Sequence, residues 1–236
     1  MRTIGQRFWN GTGATMCARF TIRRMQDIAR TMRAEIIEAE LTRARYNIAP
    51  TQNIPALYIR DRRRVLSDCR WGLVPSWARD PSLGARMINA RAETLADKPA
   101  FRNAFRSRRC LMPADGFYEW QATDTGKQPY YFQLQEGALF MFAGLYEVWH
   151  SPGSAPLRTC TLITTAANEQ VQPIHDRMPV ILPERDHDAW LDPEQADTHA
   201  LRAMLRPFDA GTLDVRPVTR YVNAPTHDDE RCIEPA

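Results

Sequence analysis

Residues 130–145, which read YYFQLQEGALFMFAGL, decide the fold of this chain. The period-two geometry of a strand puts Tyr130, Phe132 and Leu134 on one face, and a Glu-Gly pair then turns the chain. The apolar run that follows, residues 139–145, is typical of a strand that is buried on both faces. The centre of the chain is therefore predicted to be a β-sheet.

Further elements are predicted on both sides of this centre. Strands are predicted at residues 56–60, 65–71, 111–112, 117–121, 159–165 and 213–222. Helices are predicted at residues 25–44, 99–108 and within 185–205, and a loop at residues 46–55. No repeat or flexible linker divides the sequence. We therefore expect one α+β domain, with a central, mostly antiparallel β-sheet or barrel flanked by helices.

Length and composition fit a globular protein. The chain has 236 residues, of which 44% are hydrophobic and 25% are charged, which is ordinary for a single large domain. No apolar run is long enough to cross a bilayer, and residues 1–15 lack the apolar stretch of a signal peptide. We expect a cytoplasmic protein with no membrane association.

The charge composition is a weak indication of nucleic-acid binding. The net charge is only +3, but arginine supplies all except two of the 31 positive charges, and guanidinium groups bind phosphate and stack on bases. A GC-rich genome would give the same bias. Arginines cluster at residues 60–64 and 102–109, and the first cluster is predicted to lie at a hairpin tip.

The five cysteines indicate neither a disulfide framework nor a metal site, because their number is odd and no C-x-x-C spacing occurs. Cys69, Cys110 and Cys160 lie in apolar or β-type runs and are predicted to be core residues. No cofactor is expected. Cys17 differs because it directly follows Met16. As a first residue it would carry a thiol and a free α-amine, which together can close on an aldehyde to form a thiazolidine ring.

Seven motifs in a fixed order are more specific than any one of them. They are MCARF at residues 16–20, YNIAP at 46–50, WGLVPSW at 71–77, NARAET at 89–94, DGFYEW at 115–120, ITTAAN at 163–168 and HDRMP at 175–179. In this order they resemble the SRAP family of abasic-site processing proteins. The resemblance implies a single SRAP domain at residues 16–236 and leaves residues 1–15 as a leader.

The resemblance also implies a function in the DNA-damage (SOS) response. Family members bind abasic sites in single-stranded DNA, and their N-terminal cysteine attacks the aldehyde of the opened sugar to form a covalent DNA–protein crosslink that shields the lesion. We therefore expect single-stranded DNA with abasic sites as the partner of a monomeric protein. The family is classed with peptidases and hydrolases acting on peptide bonds. A weak lyase activity is also expected, because an imine with the sugar permits β-elimination.

The family motifs assign roles to four catalytic residues. Cys17 supplies the amine and the thiol, and Glu119 shuttles protons for that amine. His175 assists opening of the closed sugar, and Asn89 orients the cysteine or the sugar through its amide. An α-amine titrates at about 7.7–8.0, so only about a tenth of it is neutral at pH 7 without help.

DNA contacts are implied in the same way. The predicted DNA-binding residues are Arg19, Asn47, Pro50, Trp71, Arg91 and Thr164. The two arginines would hold flanking phosphates, and Asn47 with Pro50 would form a loop beside the displaced strand. Hydroxyl groups of Thr164 and Thr165 would support His175. Aromatic residues near the motifs would stack on bases, with Trp71 favoured because it opens the 71–77 loop; they are Trp71, Trp77, Phe117, Tyr118 and Trp120.

Two departures from the family pattern bear on this function. Ala18 stands where the family usually has glycine, and its methyl group could crowd the sugar. Residues 1–15, which have no core-forming pattern and are predicted to be disordered, would block the α-amine. Three explanations are open: a misassigned start codon with Met16 as the true start, autoproteolytic removal, or retention, which would abolish thiazolidine formation.

Two other functions stay open on the sequence alone. Cys17 with His175 or Glu119 could form a thiol peptidase or autopeptidase, although nothing in the sequence specifies an oxyanion hole. If the leader is retained, the protein would instead bind single-stranded DNA without a covalent bond.

Overall fold

The structure is a computed structural model that describes residues 17–236, so the predictions for residues 1–16 lie outside the described residues. The strands are β1 (Arg19–Ile22), β2 (Ile36–Ile37), β3 (Arg45–Ile48), β4 (Asn53–Arg60), β5 (Arg63–Trp71), β6 (Asn89–Arg91), β7 (Arg109–Ala114), β8 (Gly116–Thr123), β9 (Gly126–Leu134), β10 (Phe140–Trp149), β11 (Leu157–Ala166), β12 (Arg177–Pro179), β13 (Ile181–Leu182) and β14 (Leu213–Pro217). The α-helices are α1 (Ile28–Thr31), α2 (Arg102–Ser107), α3 (His187–Leu191) and α4 (Thr198–Ala203).

The strands form two sheets. One has the order β14-β9-β8-β1-β3, and the other has the order β12-β11-β10-β7-β4-β5-β2, with β13 on β10 and β6 on β11. An additional pairing of β11 with β5 closes part of the second sheet into a ring. Within the described residues, only β2–β5, β5–β11 and β6–β11 are parallel pairs. The α+β prediction with a mostly antiparallel sheet is confirmed.

The stretch at residues 130–145 supplies the second part of β9 and the first part of β10, as predicted. β10 lies between β7 and β11, and residues 140–145 are buried on both faces of the strand, which is why the run is apolar. On β9, Phe132 is fully buried and stacks on Phe117 of β8 with ring centroids 4.8 Å apart. The three core cysteines are fully buried, as expected. Across residues 17–236, no helix has the length and apolar character needed to cross a membrane.

The predicted helix at residues 25–44 is wrong. A short 3₁₀ turn and α1 end at Thr31, and Arg33 takes a left-handed conformation with φ of 50°, which stops the helix. The chain then runs beside β5, where the N–H groups of Glu35 and Glu38 donate to carbonyls of that strand at 2.9 and 2.8 Å. The apolar spacing was real, but the edge of β5 competes for the same backbone groups.

Two other boundaries also differ from prediction. The predicted loop at residues 46–55 contains most of β3 and the start of β4. The last strand ends at Pro217, and a 3₁₀ helix, Arg220–Asn223, takes the place of the rest of it. The arginine cluster at residues 60–64 does lie at the tip of the β4–β5 hairpin.

Candidate active site

Cys17 and Glu119 are brought together by the pairing of β1 with β8. Arg19 lies opposite Tyr118 in this antiparallel pair, so the residues just before β1 run beside Glu119, and Cys17 leaves the strand geometry with φ of 38°. The backbone N–H of Cys17 donates to Oε1 of Glu119 at 2.8 Å, although 102 residues separate them. Both residues are buried, with 3% and 1% of their surface exposed. The structure therefore joins two residues that were predicted to act together.

The surroundings of this pair set unusual protonation states. Burial raises the pKa of the Cys17 thiol well above its ordinary value, and the charge and hydrogen bond of Glu119 raise it further. Burial also raises the pKa of Glu119 to about 7, although hydrogen bonds from Cys17 oppose the shift. The site thus holds a neutral thiol beside a carboxyl group that is about half protonated near pH 7, which is the range in which a proton shuttle works best.

The segment that carries His175 lies beside this pair. The charges of Asp176 and Arg177 act on the Cys17 thiol, and Asp176 also acts on Glu119. The amide of Gln121, on the strand of Glu119, donates to the carbonyl of Pro173 at 2.9 Å and ties the segment to β8. The DGFYEW and HDRMP motifs therefore meet in space, as the family resemblance requires.

The ring of His175 is oriented by its own segment. Its Nδ1 accepts the backbone N–H of Arg177 at 3.1 Å, and only 11% of its side chain is exposed. The same Nδ1 lies 3.1 Å from Oδ1 of Asp176, so both following residues orient the ring. The predicted support from Thr164 and Thr165 is not what the structure shows. The Thr164 hydroxyl accepts from Arg177 at 3.4 Å, and Thr165 pairs in register with Met178.

Arg177 is a residue of the site that sequence reasoning missed. Its guanidinium group donates to both carboxylate oxygens of Glu93 at 2.6 and 2.9 Å and to the carbonyl of Thr164 at 2.8 Å. This fork links the NARAET motif to the HDRMP motif. The sequence signal was available, since both residues stand inside quoted motifs, but nothing in the sequence paired them.

Asn89 and Arg91 enter the site on the short strand β6. They lie opposite Leu162 and Thr164 of β11 in parallel register. As alternate residues of one strand they share a face. Asn89 is half-buried and Arg91 is exposed, so the arginine is free to reach a ligand while the amide lies deeper.

Trp71 does not have the predicted role of a base-stacking residue. Its side chain is fully buried, and its ring packs edge-on against Phe20 with centroids 5.1 Å apart. Its Nε1–H donates to the carbonyl of Ile88 at 2.8 Å, directly before Asn89. Trp71 therefore anchors the end of the loop at residues 72–88.

The other four aromatic residues differ in burial. Phe117 and Tyr118 are buried in the core. Trp77, at the tip of the 72–88 loop, is 59% exposed, and Trp120 is half-buried. Only these last two present ring surface to a ligand.

Two predicted DNA contacts are engaged inside the protein. Asn47 is fully buried, and its amide donates to the carbonyls of Val222, Ala224 and His227 at 2.8 to 3.1 Å. Arg19 is half-buried and donates to Oδ1 of Asn47 at 2.8 Å and to the Val222 carbonyl at 2.9 Å. Asn47 is thus out of reach of DNA in this structure.

The remaining predicted DNA contacts differ in exposure. Thr164 is fully buried, so its contact with DNA is also excluded in this geometry. Pro50 is half-buried in a tight turn, next to Thr51 with φ of 73°. It stays at the surface of the loop for which it was predicted.

Comparison with known proteins agrees with this arrangement. The sequence profile of the family described as SOS response associated peptidase (SRAP) matches residues 16–225. The abasic site processing protein YoqW of Bacillus subtilis is 44% identical over 93% of this chain and 99% of its own length. The abasic site processing protein HMCES of Gallus gallus is 34% identical over 82% of this chain and 66% of its own.

A solved structure shows the same fold. A crystal structure of a protein from Bacteroides thetaiotaomicron superposes with a TM-score of 0.77 at 25% identity, covering 94% of this chain and 98% of the other.

Proposed function

Because this chain belongs to the SRAP family, in which its relatives are named abasic site processing proteins, we propose that it captures abasic sites in single-stranded DNA through a covalent bond to Cys17. The observation that carries the proposal is the 2.8 Å contact between the Cys17 nitrogen and Glu119. The nitrogen that must become the nucleophile already faces a carboxyl group with a pKa of about 7.

The chemistry needs only the groups of Cys17 and the sugar. The α-amine adds to the C1 aldehyde of the opened sugar, and the carbinolamine loses water to give an imine. The thiol S–H then adds across the C=N bond, so that sulfur bonds to carbon and the proton passes to nitrogen. The product is a thiazolidine, and one water is released for each crosslink. Burial keeps the Cys17 thiol protonated at rest, and it must give up this proton, which passes to the imine nitrogen, as the sulfur attacks.

Three residues assist these steps. Glu119 accepts the proton of the α-ammonium and returns it to the departing hydroxyl of the carbinolamine. His175 exchanges a proton with the sugar oxygen during ring opening. Asn89 orients the sugar or the cysteine from β6. The contact of Cys17 with Glu119 and the effect of the Asp176 charge on both residues support the roles of Glu119 and His175.

The reactive form must begin at Cys17. In the chain as numbered, this nitrogen belongs to a peptide bond, and an amide nitrogen cannot form the imine. We therefore propose that residues 1–16 are absent from the reactive protein, whether by initiation at Met16 followed by removal of the methionine, or by cleavage.

DNA is held by the groups that remain accessible. Arg91, Pro50 and the outer edge of Arg19 retain the roles predicted for them, with Trp77 and Trp120 in place of Trp71 as stacking surfaces. Stacking favours single-stranded DNA, since its bases are unpaired. A monomer acting in the cytoplasm suffices for this role.

The site supports a lyase activity better than a peptidase activity. The imine intermediate permits β-elimination, so a weak lyase activity accompanies crosslinking. Peptidase activity gains less support, because a thiol peptidase needs a thiolate, and Glu119 together with burial keeps Cys17 protonated.

The test compares two forms of the protein on an oligonucleotide with one abasic site. We expect protein that begins at Cys17 to form a heat-stable adduct one water lighter than the sum of its parts in intact mass. The Cys17→Ala variant and the chain that retains residues 1–16 should form none. An adduct of undiminished yield from Cys17→Ala would disprove the thiazolidine.

A further inference from the structure

Trp120 has a contact that its role in the site does not explain. It follows Glu119 on β8, so it points to the opposite face of the strand. The guanidinium group of Arg19 lies 5.9 Å from its ring centroid on this face. Its Nε1–H donates to Oδ1 of Asn223 at 2.8 Å. The indole is thus bound at its polar edge while part of the ring stays accessible.

Asn223 belongs to the C-terminal segment 218–228, which we call the strap. Hydrogen bonds join this segment to strands β1 and β3. Arg19 of β1 and Asn47 of β3 both donate to the carbonyl of Val222, at 2.9 and 3.0 Å. The amide of Asn47 also donates to the carbonyl of Ala224 at 3.1 Å, on the other side of Asn223. Because bonds on both sides of Asn223 hold its backbone, its side chain accepts from Trp120 from a well-anchored segment.

We propose that Asn223 is a positioning residue for DNA binding, which acts by locking the orientation of the Trp120 ring. This inference rests on the proposed function, because it assumes that Trp120 stacks on a base of the bound single strand. An indole can turn about two side-chain torsions, and each turn would remove the ring face from the base. The bond to Asn223 settles the orientation before DNA arrives, so less conformational freedom is lost on binding.

The assignment also gives a purpose to Arg19 and Asn47. Both were predicted to contact DNA, and both donate to carbonyls of the strap. Arg19 and Asn47 bind the backbone of the strap, and Asn223 of the strap accepts the hydrogen bond of the Trp120 indole. Asn223 therefore affects DNA only through Trp120.

The experiment measures binding of the full chain to single-stranded DNA that carries a tetrahydrofuran abasic analogue, which has no aldehyde and cannot crosslink. Loss of one hydrogen bond predicts that Asn223→Ala weakens the affinity about three- to tenfold. Trp120→Phe removes the donor and should weaken it at least as much. In the double variant, Asn223→Ala should add nothing, because its partner is already gone.

Two controls separate positioning from a general loss of structure. Gln128→Ala removes another bond between the strap and the sheet without touching Trp120, and it should leave the affinity unchanged. With 5-fluorotryptophan, Asn223→Ala should shift or broaden the fluorine signal of Trp120, which the Trp120→Phe spectrum identifies, and leave that of the buried Trp190 in place.

The outcomes distinguish this inference from the proposed function. Additive losses in the double variant, or wild-type affinity in Asn223→Ala, would overturn the positioning role while crosslinking by the wild type stands. Failure of the wild type that begins at Cys17 to crosslink a natural abasic site would overturn the proposed function itself.

Discussion

At the scale of single residues, the site is built on one carboxyl group that is buried without a cationic partner of its own. Glu119 receives the N–H of Cys17, and burial raises its pKa to about 7. A surface glutamate would be fully ionised at that pH and would make a weaker general acid. The same burial that prepares Glu119 for proton transfer must therefore cost stability when it ionises.

The stability advantage of Glu119→Gln over wild type should increase as the pH rises. The folded-state pKa lies above the ordinary value of about 4.3, so the stability gained from protonated Glu119 is complete below that value and is lost as the pH rises through about 7. We expect wild type to lose on the order of 1–3 kcal/mol relative to the variant between about pH 5 and 8. Urea unfolding at several pH values measures this, and parallel pH curves for the two proteins would contradict it.

His175→Gln should slow crosslinking only when a sugar ring must open. With an abasic oligonucleotide we expect a rate loss of about a hundredfold, typical of a lost general acid or base. With butyraldehyde, which has no ring to open, the rate of thiazolidine formation at Cys17 should match wild type. His150→Gln, at an exposed position, is the matched control. An equal loss with both aldehydes would assign His175 to a different step.

At the scale of elements, the 72–88 loop joins the exposed Trp77 to the site. The backbone at Gly84 returns to the start of the loop at Gly72, where a Cβ on Gly84 would lie 2.4 Å from the carbonyl oxygen of Gly72. Only glycine permits this approach. The indole of Trp149 donates to the carbonyl of Ala78 at 2.7 Å and fixes the tip beside Trp77. The loop is thus held at its base and at its tip.

Gly84→Ala should open the base of this loop and shift the strand that follows it. We expect a loss of stability of about 1–3 kcal/mol from overpacking, together with slower crosslinking, because Asn89 follows the loop directly. Thermal unfolding and adduct kinetics measure the two effects. Ser82→Ala, which lies on the same 3₁₀ helix at an exposed position, should change neither by much. Unchanged kinetics in Gly84→Ala would mean that the loop does not position Asn89.

At the scale of the whole molecule, the C-terminal end closes onto the strands beside the site. The carboxylate of Asp228 accepts the N–H groups of Tyr46 and Asn47 at 2.6 and 2.9 Å and the guanidinium group of Arg45 at 2.6 Å. These contacts span more than 180 residues of sequence. They fix β3, which in turn carries Asn47 against the strap.

Asp228→Asn should destabilise the protein by about 1–3 kcal/mol at neutral pH, because the charged acceptor is lost. Burial alone would raise the pKa of Asp228, but its bonds to Arg45 and to the two backbone groups outweigh burial, and the pKa is lowered. The stabilisation is therefore present above the ordinary value of about 3.9 and is lost as the pH falls through the lower folded-state value. Urea midpoints at neutral and acidic pH should converge for the two proteins. Asp229→Asn, whose partners lie within its own segment, serves as control.

The amino-acid sequence by itself determined the class of fold, the family and the candidate catalytic residues. Hydrophobic alternation and apolar runs placed β8 to β11, because strand periodicity is a local property. The motifs named Cys17, Asn89, Glu119 and His175, because their chemistry is carried by the residue types themselves. The helix predicted at residues 25–44 failed for the opposite reason, since the edge of β5 claimed its backbone groups.

Only the tertiary structure decided what each polar or aromatic residue of the motifs contacts. Trp71 and Trp77 stand six residues apart in one motif, yet one is fully buried and the other is 59% exposed. Asn47 was predicted to lie in a loop beside DNA. In the structure its amide donates to three carbonyls of the C-terminal segment. Burial and long-range hydrogen bonds depend on segments more than a hundred residues away, so no local pattern could have assigned them.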